Sequence, residues 1–235
     1  MNDPLSSTGM RTGAVIVAAG AGRRMGFDKV IAPLAGRPVI SWSLAAFQEC
    51  PDITVGVVVC APGRVDEFLR LTANYPKFSL VVAGGAERSD SVRNGLEALA
   101  PMAPEIVAVH DAARPLVTPS LISAVVRAAV ECRAAVAAEQ VADTLHRAVG
   151  AGTLIENVPR DDLWSVQTPQ AAGFSLLRTA LREAKAANRH VTDEVSALLA
   201  HGVQPHAVAH NGLNFKVTWP RDLQLAATVV ADRGQ

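Results

Sequence analysis

The chain has 235 residues, of which 49% are hydrophobic, enough to fill the core of one domain of ordinary size. Its 22 Lys and Arg residues balance its 22 Asp and Glu residues, which argues against binding to nucleic acid or to an anionic membrane through a general positive field. The longest apolar stretches, such as Val55–Ala61, are far shorter than the roughly 20 residues that a membrane-spanning helix needs. Any phosphate binding must therefore be local.

The cysteines of the chain are odd in number and widely separated, at Cys50, Cys60 and Cys132. This spacing is typical neither of a disulfide framework nor of a zinc site. No basic stretch followed by an apolar one precedes them, so we expect a cytoplasmic protein.

Short β-branched runs alternate with helical periods from Gly13 onward, after a polar segment over residues 1–12 that we expect to be a flexible tail. This alternation predicts a single α/β domain over residues 13–235, with a Rossmann-like, mostly parallel twisted sheet flanked by helices. The predicted strands are Ala14–Ala18, Thr54–Cys60, Ser79–Ala83, Ile106–His110 and Ala134–Ala138. Apolar stripes at helical spacing lie at Ile40, Leu44 and Phe47, at Val92, Leu96 and Leu99, and at Leu121, Val125 and Val126.

Residues 140–163 interrupt this alternation and predict a projecting β-hairpin. Its two strands are Val141–Val149 and Gly152–Val158, which flank a turn at Gly150. The remaining predicted elements are helices over Ser175–Ala187 and Asp193–His201, a short extended pair at Pro205–Val208 and Asn214–Thr218, and a closing helix from Pro220.

The first candidate site is the segment Val15–Lys29, a buried strand that runs into a loop of small residues. Small residues allow backbone N–H groups to approach a polyphosphate, and Arg23, Arg24 and Lys29 can neutralise it. A glycine-rich turn with a solvated basic flank is the alternative, but three cations so close to the glycines favour a triphosphate site. The spacing matches neither a P-loop nor a dinucleotide-binding fingerprint.

A second glycine pair, Gly84–Gly85, ends the third predicted strand and leads into a helix. The N–H groups at the start of that helix and the hydroxyl of Ser89 or Ser91 could contact a base or hold an anion. An ordinary strand-to-helix turn with an N-cap is the alternative interpretation.

The third candidate site is the run from His110 to Arg114, at the carboxyl end of an apolar strand, the edge at which open α/β sheets bind ligands. Asp111 could bind a magnesium ion shared with triphosphate oxygens, and Arg114 could hold a phosphate or a hydroxyl. The alternative is an Asp111–Arg114 ion pair that closes the loop.

Three further segments carry polar groups whose ordinary interpretations are structural. Val166–Gln170 and Val191–Glu194 read in isolation as turns and helix caps. Lys216 is a cation in a β-rich run just before Pro220, where a solvated lysine on an edge strand is the alternative to a functional role.

The order of these motifs resembles the 2-C-methyl-D-erythritol 4-phosphate cytidylyltransferases from about Gly13 to the closing helix. The shared motifs are Ala-Ala-Gly-x-Gly-Arg-Arg-Met, Gly-Gly-x-x-Arg-x-x-Ser, His-Asp-Ala-Ala-Arg-Pro, Asp-Thr, Thr-Pro-Gln, Thr-Asp-Glu and Asn-x-Lys-Val-Thr. The first motif is common to many sugar-nucleotide transferases, whereas the later ones are much more specific.

The resemblance implies cytidylyl transfer from CTP to a polyol phosphate, with Mg²⁺ and without a covalent enzyme intermediate, in the biosynthesis of isoprenoid precursors. It also implies a homodimer that exchanges the hairpin arm, so that arm residues contact the sugar phosphate in the neighbouring site. By resemblance, the nucleotide contacts are Ala18, Ala19, Gly20, Gly84, Arg88 and Ser91. The position of Asp111 at a strand end adds it to the nucleotide contacts and to the metal site. The implied catalytic cations are Arg24, Lys29 and Lys216, and the implied substrate contacts are Arg114, Thr144, Arg160, Thr168 and Thr192.

This chain departs from the family pattern at Val17, often Pro, at His146, often Lys, and at Leu213, often acidic, and the loop between Arg24 and Lys29 is shorter than in many members. Because His146 and Leu213 lie near the substrate-binding elements, a ribitol 5-phosphate cytidylyltransferase remains an alternative. A non-catalytic nucleotide-binding paralogue and a purine-nucleotide transferase also remain open at this point.

Overall fold

The computed structural model describes residues 9–20 and 27–233, in which strands and helices largely alternate along the chain. The strands are β1 (Thr12–Ala18), β2 (Pro33–Leu34), β3 (Arg37–Pro38), β4 (Val55–Cys60), β5 (Leu80–Ala83), β6 (Ile106–Asp111), β7 (Ala134–Gln140), β8 (Leu145–Val149), β9 (Thr153–Val158), β10 (Trp164–Gly173) and β11 (His206–Ala209). The helices are α1 (Val39–Glu49), α2 (Val65–Thr72), α3 (Arg88–Leu99), α4 (Pro119–Cys132), α5 (Phe174–Ala186), α6 (Glu194–Ala200) and α7 (Pro220–Arg233).

Seven strands of the described residues form one sheet, in the order β11-β7-β10-β6-β1-β4-β5. Only β10 in that sheet runs antiparallel to its neighbours, β6 and β7, so the predicted mostly parallel α/β sheet is confirmed. The chain runs outward from β1 through β4 to β5 and then returns to the other side of β1 as β6. The carboxyl ends of β1 and β6 therefore flank a topological switch point, where such sheets bind ligands.

Successive side chains of each strand point to opposite faces of the sheet, so the hydrophobic core is divided between the two faces. Ile16, Val58 and Ala108 point to the face covered by α1, α2 and α4. Val15 and Val107 belong to the core on the other face, with α3, α5 and α6. Because both faces are buried, β1, β4 and β6 read in the sequence as nearly continuous apolar runs.

A glycine allows α3 to lie close against the sheet. A Cβ at Gly95 would come within 2.7 Å of Val15 Cγ1 and 2.9 Å of Val59 Cγ2, which is too close for any larger residue without movement. This close approach fixes α3 beside β1 and β4, so its N-terminus lies at the edge where those strands end.

The predicted hairpin is present and extends the antiparallel pair formed by β7 and β10. Strands β8 and β9 form a two-stranded sheet of their own, and Val141 N–H donates to Leu163 O at the base of the hairpin. Several of its apolar side chains are exposed, with Leu154 at 63% and Ile155 at 55%. A large apolar surface on an arm is typical of a protein contact.

Two expectations about secondary structure were wrong. Val166–Gln170 is not a turn but the middle of β10, where pairing with β7 shifts register between Val166 and Gln170. Pro169 has no N–H to donate, which accounts both for this irregularity and for the turn-like pattern. Asn214–Thr218 is not a strand, because its groups bond instead to side chains and loops around β6 and β10.

Each helix in the described part of the chain is too short or too polar to span a membrane.

Candidate nucleotide and phosphate site

The loops after β1 and β5 meet at the carboxyl edge of the sheet. Gly84 N–H donates to Cys60 O at 2.8 Å, and a Cβ at Gly84 would come within 2.6 Å of both Ala19 Cβ and Ser91 Oγ. Ser91 is not an N-cap, because it lies inside α3, where its hydroxyl donates to Glu87 O and accepts from Gly85 N–H. The sheet edge therefore brings together Ala19, Gly84 and Ser91, which the resemblance assigned to the nucleotide.

Ala18 and Gly20, the other small residues at the end of β1, differ in their solvent exposure. The side chain of Ala18 is buried in the core, so only its backbone could reach a ligand. Gly20 is exposed, and a Cβ there would meet no atom within 4 Å. Arg23 and Arg24 lie outside the described residues.

Arg88 connects two buried carboxylates from different parts of the chain. Its Nη1 and Nη2 donate to Glu194 Oε1 and Oε2 at 2.8 and 3.0 Å, and its Nε donates to Asp111 Oδ1 at 2.9 Å. Glu194 is 1% exposed and Asp111 is 7% exposed. Burial opposes the charge on Arg88, but Glu194 and Asp111 outweigh it and raise the pKa of the guanidinium above its ordinary value.

Lys216 is hydrogen-bonded to the other carboxylate oxygen of Asp111. Lys216 Nζ donates to Asp111 Oδ2 at 2.6 Å, so the interpretation as a solvated lysine on an edge strand was wrong. Burial alone would raise the pKa of the Asp111 carboxyl, but Arg88 and Lys216 outweigh burial and hold that pKa well below its ordinary value. Asp111 is therefore a fully ionised anchor for two cations.

A directional chain of hydrogen bonds fixes the end of β6. His110 Nε2 faces Arg114 O at 3.2 Å, and because a carbonyl oxygen only accepts, Nε2 must carry the proton. Nδ1 then accepts from the Thr168 hydroxyl at 3.1 Å, and Thr168 Oγ1 accepts from Asp111 N–H at 3.1 Å. Burial lowers the pKa of His110 to about 3, so the ring is neutral at pH 7, as this arrangement requires.

Arg114 is held by the segment that precedes α7. Its Nη1 donates to Asn214 O at 2.8 Å, so the alternative of an Asp111–Arg114 hydrogen-bonded ion pair does not describe this loop. Burial lowers the pKa of Arg114, although the guanidinium remains a cation near neutral pH. Asn214 is 2% exposed, and its Nδ2 donates to Gln167 Oε1 and Thr168 O.

Lys29 approaches the same corner from the first loop. Its ammonium donates to Val217 O at 2.9 Å, and Val217 is the residue after Lys216. Asp28, next to it, accepts from Val30 N–H and from Arg64.

The other predicted substrate contacts are not part of this cluster. Thr144 and Arg160 are exposed at the base of the hairpin, where Arg160 Nη1 donates to Ala142 O. Thr192 is exposed just before α6, whose N-cap is Asp193, as the sequence indicated for that segment.

The five charged side chains described above carry one more positive than negative charge. Arg88, Arg114 and Lys216 stand against Asp111 and Glu194, and His110 is neutral, so the described cluster has one net positive charge before Lys29 is counted. A partly buried cationic corner at a switch point is suited to phosphate groups.

Two contributors were missed by the sequence interpretation. Glu194 was treated as part of a helix-cap motif, and His110 was given no role of its own. A capping motif predicts the start of α6, but nothing local indicates that its acid meets an arginine 106 residues away.

A mostly parallel α/β sheet with a cationic corner at its switch point is the arrangement expected of a nucleotidyltransferase. A sequence profile of the family described as 2-C-methyl-D-erythritol 4-phosphate cytidylyltransferase matches residues 12–232. The chain belongs to this family.

Relatives of the same name resemble the chain over almost its full length. The enzyme of Ralstonia nicotianae is 42% identical over 96% of this chain and 94% of its own, and that of Pelotomaculum thermopropionicum is 40% identical over 95% of each. The crystal structure of 2-C-methyl-D-erythritol 4-phosphate cytidylyltransferase from Thermus thermophilus has a TM-score of 0.76 and 33% identity, covering 92% of this chain and 98% of that one.

Proposed function

We propose that this protein transfers the cytidylyl group of CTP to 2-C-methyl-D-erythritol 4-phosphate and releases pyrophosphate. Family membership supports the reaction, and one observation supports its location. Arg88 and Lys216 converge on Asp111 beside Val17, the residue with which Asp111 is in register at the switch point. A nucleotide bound along the glycine loops would place its phosphates against these cations.

In this proposal, the two glycine loops hold the nucleotide through backbone groups. Ala18, Ala19 and Gly20 would contribute N–H groups at the end of β1, and Gly84 lets the second loop approach the first. Ser91 fixes that approach through its hydrogen bonds to Gly85 and Glu87.

The chemistry is an in-line displacement. A phosphate oxygen of the acceptor attacks the α-phosphorus of CTP, the bond from that phosphorus to the bridging oxygen breaks, and pyrophosphate leaves with the electron pair. The acceptor phosphate is already a competent nucleophile, so the enzyme needs only to align the two anions and stabilise the charge that develops between them. Arg24, Lys29 and Lys216 are the proposed donors to that charge.

Asp111 is the proposed carboxylate for a magnesium ion that is shared with the nucleotide. Arg88 and Lys216 donate to its two oxygens, so the ion would use the remaining lone pairs of these oxygens or replace one of the two cations. Mg²⁺ in such sites takes one or two carboxylates and completes its octahedron with phosphate oxygens and water. Among the residues described, no group of three or more His, Cys, Asp and Glu side chains could hold a metal. In this proposal Asp111 is the side chain that would hold the ion. When bound, the ion would neutralise triphosphate charge. We therefore expect the protein to bind the metal tightly only together with CTP.

Pyrophosphate release tests the reaction directly. We expect release with CTP and 2-C-methyl-D-erythritol 4-phosphate, and a loss of about 10²–10³ in kcat for Lys216→Met, since one lost donor typically costs that much. ATP and GTP in place of CTP test the purine alternative, and ribitol 5-phosphate tests the other acceptor. Faster turnover of ribitol 5-phosphate, or none of either acceptor, would contradict the proposal.

We also propose a homodimer whose hairpin arms complete each other's sites through Thr144 and Arg160. The exposed apolar side chains of β9 support a protein contact. Arg160 is exposed, and although its Nη1 donates to Ala142 O, a guanidinium has five N–H donors and could also reach a neighbour's ligand. We place the protein in the cytoplasm, where three free cysteines stay reduced.

Subunit complementation tests arm exchange. Lys216→Met and Arg160→Ala should each be impaired, whereas a mixture of the two should regain activity. In a mixed dimer one site would combine an intact Lys216 with an intact arm, so random exchange restores about a quarter of the sites. No recovery despite demonstrated mixed dimers would show that the arm acts within its own chain.

A further inference from the structure

Arg64 lies beside the first loop because of the order of the strands. Strands β1 and β4 are parallel neighbours in which Ala18 is paired with Cys60, so the loops that follow them leave the sheet side by side. Arg64 precedes α2 in the second of these loops, and its Nη1 donates to Asp28 Oδ2 in the first.

The guanidinium of Arg64 is held in place by its own helix. Nε and Nη2 donate to Glu67 Oε2 and Oε1, each at 2.7 Å, in a two-pronged contact. The guanidinium carbon also lies 5.1 Å from the centre of the Phe68 ring, and Phe68 is fully buried in the core. Because these contacts fix the plane of the group, the third nitrogen is presented to Asp28 from a rigid base.

Asp28 connects Arg64 to the backbone beside Lys29, because its two carboxylate oxygens accept from both. Its second oxygen, Oδ1, accepts from Val30 N–H at 2.9 Å. Val30 is 2% exposed, and its carbonyl accepts from Ile40 N–H at 3.0 Å. The residues on both sides of Lys29 are thus fixed, one by Arg64 and the other by the core, while the Lys29 ammonium reaches Val217 O at 2.9 Å.

We propose that Arg64 is a positioning residue for Lys29: by clamping Asp28 it holds the turn that directs the Lys29 ammonium toward the phosphate-binding corner. This inference rests on the proposed function, because Lys29 is one of the donors in that proposal. Nothing in the family motifs above includes Arg64, Glu67 or Asp28.

A merely structural ion pair is the competing explanation, and it predicts different results. The side chains of Arg64 and Asp28 are each 26% exposed, whereas that of Glu194 is 2% exposed, so water screens the Arg64–Asp28 pair more and its loss should lower the free energy of unfolding less than loss of the Arg88–Glu194 pair. A displacement of Lys29 by about 1 Å, in contrast, is enough to slow the transfer step by one to two orders of magnitude. Turnover should therefore respond to Arg64 much more than folding does.

Steady-state kinetics of Arg64→Gln provide the first test. We expect kcat to fall about tenfold while KM for CTP changes less than about twofold, since the lost effect is on the transition state. Arg64→Lys, which keeps a cation within reach of Asp28, should recover part of the loss. The matched control is Arg70→Gln, an exposed arginine on the helix that follows Arg64, which should behave as wild type.

A double-mutant cycle separates positioning from general damage. In a Lys29→Ala background, Arg64→Gln should cause no further loss, because the donor that it positions is already gone. Two losses that multiply would overturn the proposal, as would wild-type kcat in Arg64→Gln. If Arg64→Gln folds poorly, Asp28→Asn removes the same ion pair while keeping an oxygen for Val30 N–H, and it should reproduce the kinetic result.

Hydrogen exchange gives a readout that does not depend on catalysis. The Val30 amide should exchange faster in Arg64→Gln than in wild type or Arg70→Gln, because its acceptor is no longer held. Unchanged exchange would overturn the clamp. An inactive wild-type enzyme would refute the proposed function, whereas an active wild type with an active Arg64→Gln would refute only this inference.

Discussion

Replacing Glu194 by Gln should destabilise the protein far more than the same change at an exposed glutamate. Glu194 is 1% exposed and accepts two hydrogen bonds from Arg88, at 2.8 and 3.0 Å. Glutamine keeps the shape and one acceptor, but it removes the charge and turns an N–H₂ group toward the guanidinium.

The expected cost follows from the burial of this pair. Breaking a buried ion pair by removing one partner typically costs about 3–5 kcal/mol. Arg88 keeps its bond to Asp111 in the variant, and the remaining amide oxygen recovers about 1 kcal/mol. We therefore expect a loss of about 2–4 kcal/mol in the free energy of unfolding, which corresponds to a fall of roughly 4–16 °C in Tm for a chain of this size.

Urea unfolding at pH 7 measures this loss, and Glu97→Gln is the matched control. Glu97 also makes a two-oxygen contact with an arginine, Arg178, but its side chain is 62% exposed. Exposed pairs typically contribute about 0.2–1 kcal/mol. If the two variants lost the same free energy within about 0.5 kcal/mol, burial would not be the source of the stability of the Arg88 network, and the reasoning would be wrong.

Two other substitutions test the geometry of the site. Gly84→Ala should cost about 1–3 kcal/mol, because its Cβ would meet Ala19 and Ser91 at 2.6 Å, whereas Gly212→Ala, with no atom within 4 Å, should be nearly neutral in the same thermal unfolding assay. Equal effects would contradict the close contact. Burial lowers the pKa of His110 to about 3 in the folded protein, against about 6.5 in the unfolded chain, so the unfolded chain binds more protons between these pH values. The free energy of unfolding of the chelator-treated protein should therefore decrease as the pH falls from about 6.5 to about 3. Between about pH 5.5 and 4 the wild type should lose about 1.4 kcal/mol per pH unit more than His110→Asn, and parallel curves would refute this assignment.

The strands and helices of the fold were largely predictable because their signals are local. The runs Thr54–Cys60 and Ile106–His110 lie within one residue of β4 and β6 at each end, and the hairpin was indicated by its glycine turn. Strand β10 was missed, since Pro169 gives its segment the composition of a turn. Whether such a segment forms a strand depends on the neighbours β6 and β7, which the segment itself does not specify.

The candidate site was predictable as a set of residues but not as a set of partners. The position of Asp111 at a strand end indicated a ligand-binding edge, and that expectation needs only the general rule for parallel sheets. The partner that the sequence suggested for a structural ion pair was Arg114, a neighbour within the same turn. The structure instead pairs Asp111 with Arg88 and Lys216, which come from 23 residues before and 105 residues after it.

The sequence by itself determined the α/β alternation, the glycine loops at strand ends and the family, because each depends on residues within one short segment or on motifs in a fixed order. Tertiary structure alone decided that Glu194 holds Arg88, that Thr168 fixes His110, and that Arg64 clamps Asp28. These contacts arise when strand order and helix packing bring distant segments together at one edge of the sheet. A side chain's partner is then set by the neighbour that packing supplies, and no local pattern encodes it.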